Sequence, residues 1–184
     1  MEVTLKVSAP VTEKTGAVIV AQSGSALSPA ALALDAASNG HLTRSLKTAG
    51  FEGKAGQSQL LPALPGVMAD AVLVVGTGEL KELDARGLQR AALTATKALA
   101  NGPKKAVSFL AELAIANTTL DDRLTLVSRT SIEAAYRFDD FKSKKNGDKG
   151  LSLLTLAVDD KTQVTSGKKA VAWGEALAQG INTA

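Results

Sequence analysis

The sequence contains no cysteine and a single histidine, and only 3% of its 184 residues are aromatic. Without cysteine, the chain has no disulfide framework, no thiolate nucleophile and no thiolate metal site. A serine–histidine–aspartate triad would have to use His41, and neither a Gly-x-Ser-x-Gly turn nor an HExxH pattern accompanies it. The residue types therefore give no motif for catalysis or metal binding by this chain.

Long hydrophobic runs are also absent. No stretch of 18 apolar residues occurs, and Glu2, Lys6, Glu13 and Lys14 interrupt the first 20 residues. The first observation argues against a membrane-spanning helix and the second against a secretory signal. The sequence thus predicts a cytoplasmic protein with no membrane partner.

A large excess of one sign of charge is also absent. The chain has 21 basic and 18 acidic residues, a net charge of +3 and a pI near 9.2. This near balance is far from the concentrated basic face of a typical nucleic-acid-binding domain. With 45% hydrophobic and 21% charged residues, the composition is that of one globular domain.

Short apolar segments alternate with helical patterns along the chain. Strands are predicted at residues 3–7, 17–21, 71–75, 105–110 and 151–158. Helices are predicted from Pro29 to about Ser38, from Asp84 to Asn101, from Thr119 or Asp121 onward, and over 164–181, whereas residues 45–58 are predicted to form a loop. This order predicts an α/β three-layer sandwich with a mixed, mostly parallel sheet flanked by helices.

Three features could carry chemistry, and each has a structural interpretation. Gly76-Thr77-Gly78 follows a buried strand, but Lys81 stands where a dinucleotide-binding turn has its third glycine, so a tight turn is favoured over a ligand contact. His41 is predicted to lie in an exposed loop. The acidic pairs at 121–122, 139–140 and 159–160 are predicted to cap or solvate helix ends, because adjacent side chains on a helix point in different directions.

The segment AAYRFDDFKSKK, residues 134–145, concentrates aromatic and charged residues. Leu124, Val127, Ser131, Ala135, Phe138 and Phe141 fall on one face of a predicted helix, Ile132 and Tyr136 flank that face, and Glu133 and Arg137 form an i,i+4 pair. The lysines at 142, 144 and 145 then complement the C-terminal end of the helix dipole. A buried helix face with a cationic end accounts for most of this segment.

Two segments resemble the N-terminal domain of leucyl aminopeptidases, the cytosol aminopeptidase family. The first is similar to that family's Tyr-Arg-Phe-Asp-x-Tyr-Lys-x-Lys-Lys segment and departs from it at Phe141; its matching residues are Tyr136, Arg137, Phe138, Asp139, Lys142, Lys144 and Lys145. The second, GEALAQGINTA at 174–184, is similar to the helix that links the two domains of the family. Val72–Gly78 also resembles a strand and turn of this family, but that motif is generic.

The resemblance implies a macro-domain-like N-terminal domain at 1–163 and a linker helix at 164–184 that leads to a catalytic domain absent from this chain. It implies that the whole enzyme is a homo-hexameric exopeptidase with two zinc or manganese ions, which releases N-terminal residues, often leucine, from peptides. The family's metal-ligand and catalytic motifs have no counterpart here, so no catalytic, metal or cofactor-binding residue is assigned. The chain alone is therefore expected to be inactive and to support assembly and active-site access.

Two alternatives remain. A macro-like fold favours ADP-ribose or another nucleotide at Gly76-Thr77-Gly78. Lysines 142, 144, 145 and 149 beside Tyr136 and Phe141 favour DNA, although Asp139, Asp140 and Asp148 weaken the positive field. The sequence also leaves open whether Trp173 packs on this domain or on the catalytic one.

Overall fold

The computed structural model describes residues 1–140 and 150–182, without the side chains of 137–140 and 181–182. Its strands are β1 (Glu2–Val7), β2 (Ala17–Ser23), β3 (Ala26–Leu27), β4 (Ser58–Pro62), β5 (Ala71–Gly76), β6 (Lys105–Ser108) and β7 (Leu153–Val158). Its α-helices are α1 (Pro29–Ala37), α2 (His41–Thr48), α3 (Ala85–Ala98), α4 (Leu120–Asp140) and α5 (Lys161–Asn182). Short 3-10 turns cover Leu80–Glu82 and Leu110–Glu112. No helix in the described part is long and apolar enough to cross a membrane.

The strands form one mixed sheet in the order β1-β7-β6-β2-β5-β4, with β3 paired to β2. The pairings β1–β7, β7–β6, β6–β2 and β2–β5 are parallel, while β4 runs antiparallel to β5 and β3 antiparallel to β2. Parallel strands at the centre of such a sheet need cover on both faces. Every residue of β2 is accordingly buried.

Helices cover the two faces of the sheet and make three layers. Val18 and Val20 of β2 face α1 and α2, whereas Ile19 and Ala21 face the layer of α3, α4 and α5. This alternation is the period-2 pattern of a strand. The predicted α/β sandwich with a mostly parallel sheet is therefore confirmed.

Local capping sets the helix boundaries. Ser28 accepts a hydrogen bond from the Ala31 N–H at 3.3 Å, and Asp84 accepts one from the Gly87 N–H at 2.8 Å. Thr119, rather than Asp121, opens α4, because its hydroxyl accepts from the Asp122 N–H at 3.1 Å while the Asp122 carboxylate accepts from the Thr119 N–H at 2.8 Å. The last helix begins at Lys161, three residues before the predicted start.

The loop predicted over residues 45–58 is wrong in its first part, because α2 runs to Thr48. Gly40, in the left-handed conformation at φ 74°, precedes this helix. Leu42 and Leu46 lie four residues apart and are both buried under the sheet. His41 is exposed as predicted, but it is the first residue of α2 and does not lie in a loop.

Candidate functional site

The carboxyl ends of β2, β5, β6 and β7 lie at one edge of the sheet, which is where open α/β sheets bind ligands. The chain leaves β2 toward α1 on one face and leaves β5, β6 and β7 toward the opposite face. The predicted Gly76-Thr77-Gly78 turn lies at this edge, so its backbone donors decide whether a phosphate can bind there.

All three backbone N–H groups of this turn already have partners. Gly76 N–H donates to Gln57 O at 2.9 Å, Thr77 N–H to Gln22 O at 3.0 Å, and Gly78 N–H to Gly53 O at 2.9 Å. The partner segment, residues 51–57, lies over the turn so closely that a Cβ at Gly76 would overlap Lys54 O. A phosphate cradle needs free N–H groups. The tight-turn interpretation is confirmed, because all three N–H groups of the turn bond to the protein itself.

A second anion position at the same edge is filled by Glu112. Its carboxylate accepts a hydrogen bond from the Ala30 N–H, in the first turn of α1, at 2.9 Å. A helix N-terminus at the end of a central strand is a general phosphate-binding position. Here a side chain of the protein occupies it. Glu112 follows β6 within the 3-10 turn, and no sequence motif distinguishes it.

Burial raises the pKa of the Glu112 carboxyl above its usual range; hydrogen bonds from Ala30 and Ser28 oppose this effect, and the nearby Asp159 carboxylate adds to it. A raised carboxyl pKa means that the folded state holds the proton more tightly than the unfolded state. Stability from Glu112 is therefore full below its unfolded pKa, about 4.3, and is lost as the pH rises through the raised value.

We expect Glu112→Gln to stabilise the fold near pH 7, because glutamine keeps an acceptor for the Ala30 N–H without a buried charge. The gain should shrink as the pH falls toward about 4, where Glu112 itself is protonated. Urea unfolding at several pH values measures both the gain in stability near pH 7 and its decrease at lower pH. The control Glu112→Ala also removes the titrating carboxyl but leaves the Ala30 N–H without its acceptor, so it should be less stable than Glu112→Gln by about 1 kcal/mol at every pH. A Glu112→Gln gain that does not vary with pH would contradict this assignment.

The acidic pairs whose side chains the structure describes lie at the N-terminal ends of helices. Hydrogen bonds from the backbone and hydroxyl of Thr119 lower the pKa of Asp122. Asp160 accepts from the Thr162 and Gln163 N–H groups at 2.8 and 3.0 Å, and bonds from Thr162 and Gln163 lower its pKa. The capping interpretation is thus confirmed for Asp122 and Asp160, whereas Asp121 and Asp159 are exposed to solvent. The side chains of Asp139 and Asp140 lie outside the described residues.

The predicted buried face of α4 is confirmed at Leu124, Val127 and Ser131, and Ala135 is half-buried. Glu133 pairs with Arg129 at 2.7 Å. Tyr136 is exposed. The side chains of Arg137 and Phe138 lie outside the described residues, as do Phe141 and lysines 142, 144, 145 and 149, so the proposed DNA-binding cluster stays a prediction.

A further candidate surface is an apolar groove on the helical layer, here called the Trp173 groove. It has a volume of about 300 Å³ and lies between α3, α4, α5 and the segment before α4. Its lining residues include Leu88, Ile115, Leu126, Trp173 and Leu177. Trp173 has 62% of its surface exposed, the largest value among the exposed large hydrophobic side chains of the described part. The indole therefore does not bury itself on this domain.

Ordered arginines border the Trp173 groove. The Arg123 guanidinium donates to Ala111 O at 2.8 Å and to Thr118 O at 3.1 Å, and Arg129 is held by Glu133. Tryptophan and arginine are the residues most enriched at energetically important interface positions. An exposed indole with fixed arginines beside it is a surface suited to a protein partner.

Metal chemistry has no donor set in this part of the chain. Among the side chains that the structure describes, those of residues 1–136 and 150–180, no group of three or more from histidine, aspartate and glutamate lies close enough to hold a metal ion. The metal ions that the resemblance implies therefore do not fit the described residues, and none is assigned to them.

Comparisons with known proteins identify the domain. Residues 17–145 match the family model of the cytosol aminopeptidase family, N-terminal domain. The chain is 36% identical over its whole length to a probable cytosol aminopeptidase from Methylobacillus flagellatus, of which it spans 38%. A mutant tomato leucine aminopeptidase is similar in structure, with a TM-score of 0.73 and 15% identity over 98% of this chain and 36% of that one.

The macro-like fold is also supported by the macro domain of ganglioside induced differentiation associated protein 2, with a TM-score of 0.67 and 13% identity over 94% of this chain and 84% of that one. This likeness concerns the fold alone. The family match covers most of the chain, and it includes helices α1 to α4 and strands β2 to β6. The chain belongs to the cytosol aminopeptidase family and corresponds to its N-terminal domain.

Proposed function

We propose that this chain is the non-catalytic N-terminal domain of a leucyl aminopeptidase, a cytoplasmic exopeptidase with two zinc or manganese ions that releases N-terminal residues, often leucine, from peptides. Its role is to dock on the catalytic part of the enzyme, to support assembly into a homo-hexamer and to shape access to the active site. The family match over residues 17–145 supports the parent enzyme, and the observation that carries the docking role is the exposed Trp173 in an apolar groove.

The energetics of the groove favour a covered state. A tryptophan side chain buries roughly 200 Å² when fully covered. Because 62% of Trp173 is exposed, covering this exposed part contributes on the order of 3 kcal/mol at about 25 cal/mol per Å². An exposed apolar surface of this kind is also a site of self-association when it lacks its partner.

The occupant we propose is the polypeptide that follows this domain in its relatives. The chain spans 38% of the length of the Methylobacillus relative, and the matched region is the N-terminal domain. Trp173 and Leu177 both lie on α5, the last described element, and Leu177 is one to two turns before Asn182. A chain that continues past α5 therefore starts beside the groove.

Nucleotide binding is not proposed, because the turn and the α1 N-terminus that would hold a phosphate are bonded to the protein itself.

The resemblance implied that the N-terminal domain ends at residue 163 and that the linker helix begins at residue 164, and we propose a different boundary. We place the start of this helix at Lys161, and it packs against α4 and β1 as part of the domain.

The first test is to sequence the gene beyond the codon for Ala184. We expect an open frame that continues into a metal-ligand region, and a stop codon there would contradict the proposal. The 184-residue chain should then hydrolyse no leucine p-nitroanilide above the blank with manganese or zinc supplied. Hydrolysis that purifies with the chain would overturn the non-catalytic assignment.

The docking role is tested by mixing the chain with the separately produced polypeptide that its gene encodes after Ala184. Trp173→Ala should weaken the association at least about tenfold, since truncated interface tryptophans often cost 2 kcal/mol or more. The matched control is Leu32→Ala, which removes a 56% exposed side chain from α1 in the opposite layer. Equal affinities for the two variants would exclude the groove as the docking site.

A further inference from the structure

A cavity of about 330 Å³ lies at the carboxyl end of β2, on the opposite face of the sheet from the Trp173 groove. We call it the Gln22 cavity. It is bounded by the β2–β3 turn, by α2 and by the two residues Phe51 and Glu52 that follow α2. Its volume is near the lower limit of small-molecule sites. None of its lining residues lines the Trp173 groove, so the cavity takes no part in the docking role proposed above.

Gln22 supplies a free hydrogen-bond acceptor to this cavity. Its side chain is only 8% exposed, yet it lines the cavity. Its Nε2 donates to Gly24 O at 2.7 Å, and Gly24 lines the cavity as well, so the amide group lies at the cavity wall. Its Oε1 has no hydrogen-bond partner among the described residues. This oxygen remains accessible to solvent, because among the described side chains only Ser8 Oγ and Thr130 Oγ1 are inaccessible polar atoms without a partner. Since the rest of Gln22 is buried, Oε1 faces the cavity and can accept a hydrogen bond from a ligand.

A cation lies at the mouth of the Gln22 cavity. Lys47 lines the cavity from the last turn of α2, and it has no ion-pair partner in the part of the chain that the structure describes. Glu52 also lines the cavity but is paired with Lys54 instead. The Lys47 ammonium therefore remains available to an anionic group of a ligand.

The rest of the cavity wall is apolar. Leu27, Leu46 and Phe51 line it, and all three pack against the core between the sheet and the helices α1 and α2. An acceptor, a cation and an apolar surface thus come from three separate segments of the chain and meet at one cavity. A ligand that uses all three has an N–H donor, a carboxylate and a short apolar group.

We propose that the Gln22 cavity binds an α-amino acid that has a small apolar side chain and a free carboxylate. The amino group donates to Gln22 Oε1, and the carboxylate pairs with Lys47 Nζ. The apolar side chain packs against Leu27, Leu46 and Phe51. An α-amino acid carries all three groups on one carbon atom, which suits a cavity of this small volume. The exopeptidase proposed above releases ligands of this class, and only this link rests on the proposed function.

The test is a titration of the 184-residue chain, followed by heteronuclear NMR at about 0.15 M salt, with L-leucine, L-leucinamide and 4-methylpentanoate as separate probes. Leucine should give saturable shifts at the β2–β3 turn and at α2, with a Kd of about 1 mM. Leucinamide lacks the carboxylate and 4-methylpentanoate lacks the amino group, so each should bind at least about threefold more weakly. No saturable shift with leucine, or equal affinity for all three probes, would overturn the proposal.

The same chemistry is present in a free amino acid and in the C-terminal residue of a peptide, and N-acetyl-L-leucine distinguishes these two sources. It keeps the carboxylate and one N–H but has no charged amino group. Affinity equal to that of leucine would support the end of a peptide as the ligand. Affinity at least about threefold weaker would support the free amino acid, whose ammonium group makes the stronger hydrogen bond.

A pair of lysine variants separates a specific site from general charge attraction. Lys47→Gln should weaken leucine binding at least about threefold. The matched control Lys97→Gln removes an exposed lysine from the last turn of α3, outside the cavity, and should change the Kd less than about 1.5-fold. Each variant loses the same kind of interaction with a helix C-terminus. Equal losses of affinity in the two variants would mean non-specific attraction and would overturn the proposal.

Gln22→Met tests the acceptor separately. Methionine keeps the length of the side chain but has no amide oxygen, so the variant should bind leucine at least about fivefold more weakly. Its affinity for 4-methylpentanoate should stay within about twofold of that of the unsubstituted chain, because this probe has no N–H to donate. Equal losses of affinity for both probes would exclude Gln22 as the acceptor. All of these measurements use the 184-residue chain alone, so their outcome is independent of the gene sequence and of the docking test.

Discussion

Replacing Gly174 with alanine is expected to lower the free energy of unfolding by about 2 kcal/mol, although alanine is the better helix former by about 1 kcal/mol. The reason is the close approach of α5 to α4 at this position. A Cβ at Gly174 would overlap the Ser128 hydroxyl and would lie 2.7 Å from the Thr125 carbonyl oxygen. The hydroxyl can rotate away, but the carbonyl belongs to the α4 backbone and moves only if the helix moves.

The same helix offers a matched control. Gly180 lies six residues further along α5, and a Cβ there would meet no atom within 4 Å. Gly180→Ala should therefore raise the free energy of unfolding by about 0.5–1 kcal/mol through helix propensity alone. Urea unfolding of both variants measures the contrast. Stabilisation by both substitutions would show that α4 and α5 are not in close contact at Gly174.

Replacing Gly53 with alanine is expected to cost about 3 kcal/mol, from two effects that add. The residue has φ +69°, and a left-handed conformation costs an L-residue about 1–2 kcal/mol. A Cβ there would also overlap Gly24 O and lie 3.0 Å from Gly24 N, which adds about 1–3 kcal/mol of steric strain. The substitution thus disturbs the loop that fills the Gly76-Thr77-Gly78 turn.

Gly56 in the same loop separates the two effects. It has φ +85°, but a Cβ at this position would have no neighbouring atom within 4 Å. Gly56→Ala should therefore cost only the conformational part, about 1 kcal/mol. Thermal and urea unfolding of the two variants test this difference. Equal costs for Gly53→Ala and Gly56→Ala would show that the loop does not press against the β2–β3 turn.

Gly174 and Gly53 both lie next to candidate functional features. Gly174 lies on the helix that carries Trp173, so its contact with α4 orients the groove that we propose as the docking surface. Gly53 lies in the loop whose carbonyl bonds to Gly78 N–H and closes the turn. Each glycine makes a close backbone approach that a larger residue would prevent.

The sequence predicted most of the sheet because its strands are marked locally. Residues 71–75 are apolar throughout and end at glycine, which is the pattern of a strand covered on both faces. Ser28-Pro29 and Asp84 marked helix starts through capping chemistry, and the structure has helices at both. These signals depend on neighbouring residues alone.

Helix α2 was missed for a physical reason. It has only eight residues, and glycines surround it at positions 40 and 50. Such a short helix is marginal by itself, and it gains its stability by packing Leu42 and Leu46 under the sheet. That contact joins residues far apart in the chain, so no local pattern reports it.

The sequence by itself determined the fold class, the capped helices and, through the resemblance at 136–145 and 174–184, the family. Tertiary structure alone decided that Glu112 occupies the N-terminal end of α1, that Gln22, Gly53 and Gln57 accept the hydrogen bonds of the glycine turn, and that Trp173 stays exposed. Strand and cap signals act between near neighbours, whereas these three outcomes depend on which surfaces meet when distant segments pack. The features on which our functional proposals depend are therefore among those that only the tertiary structure reveals.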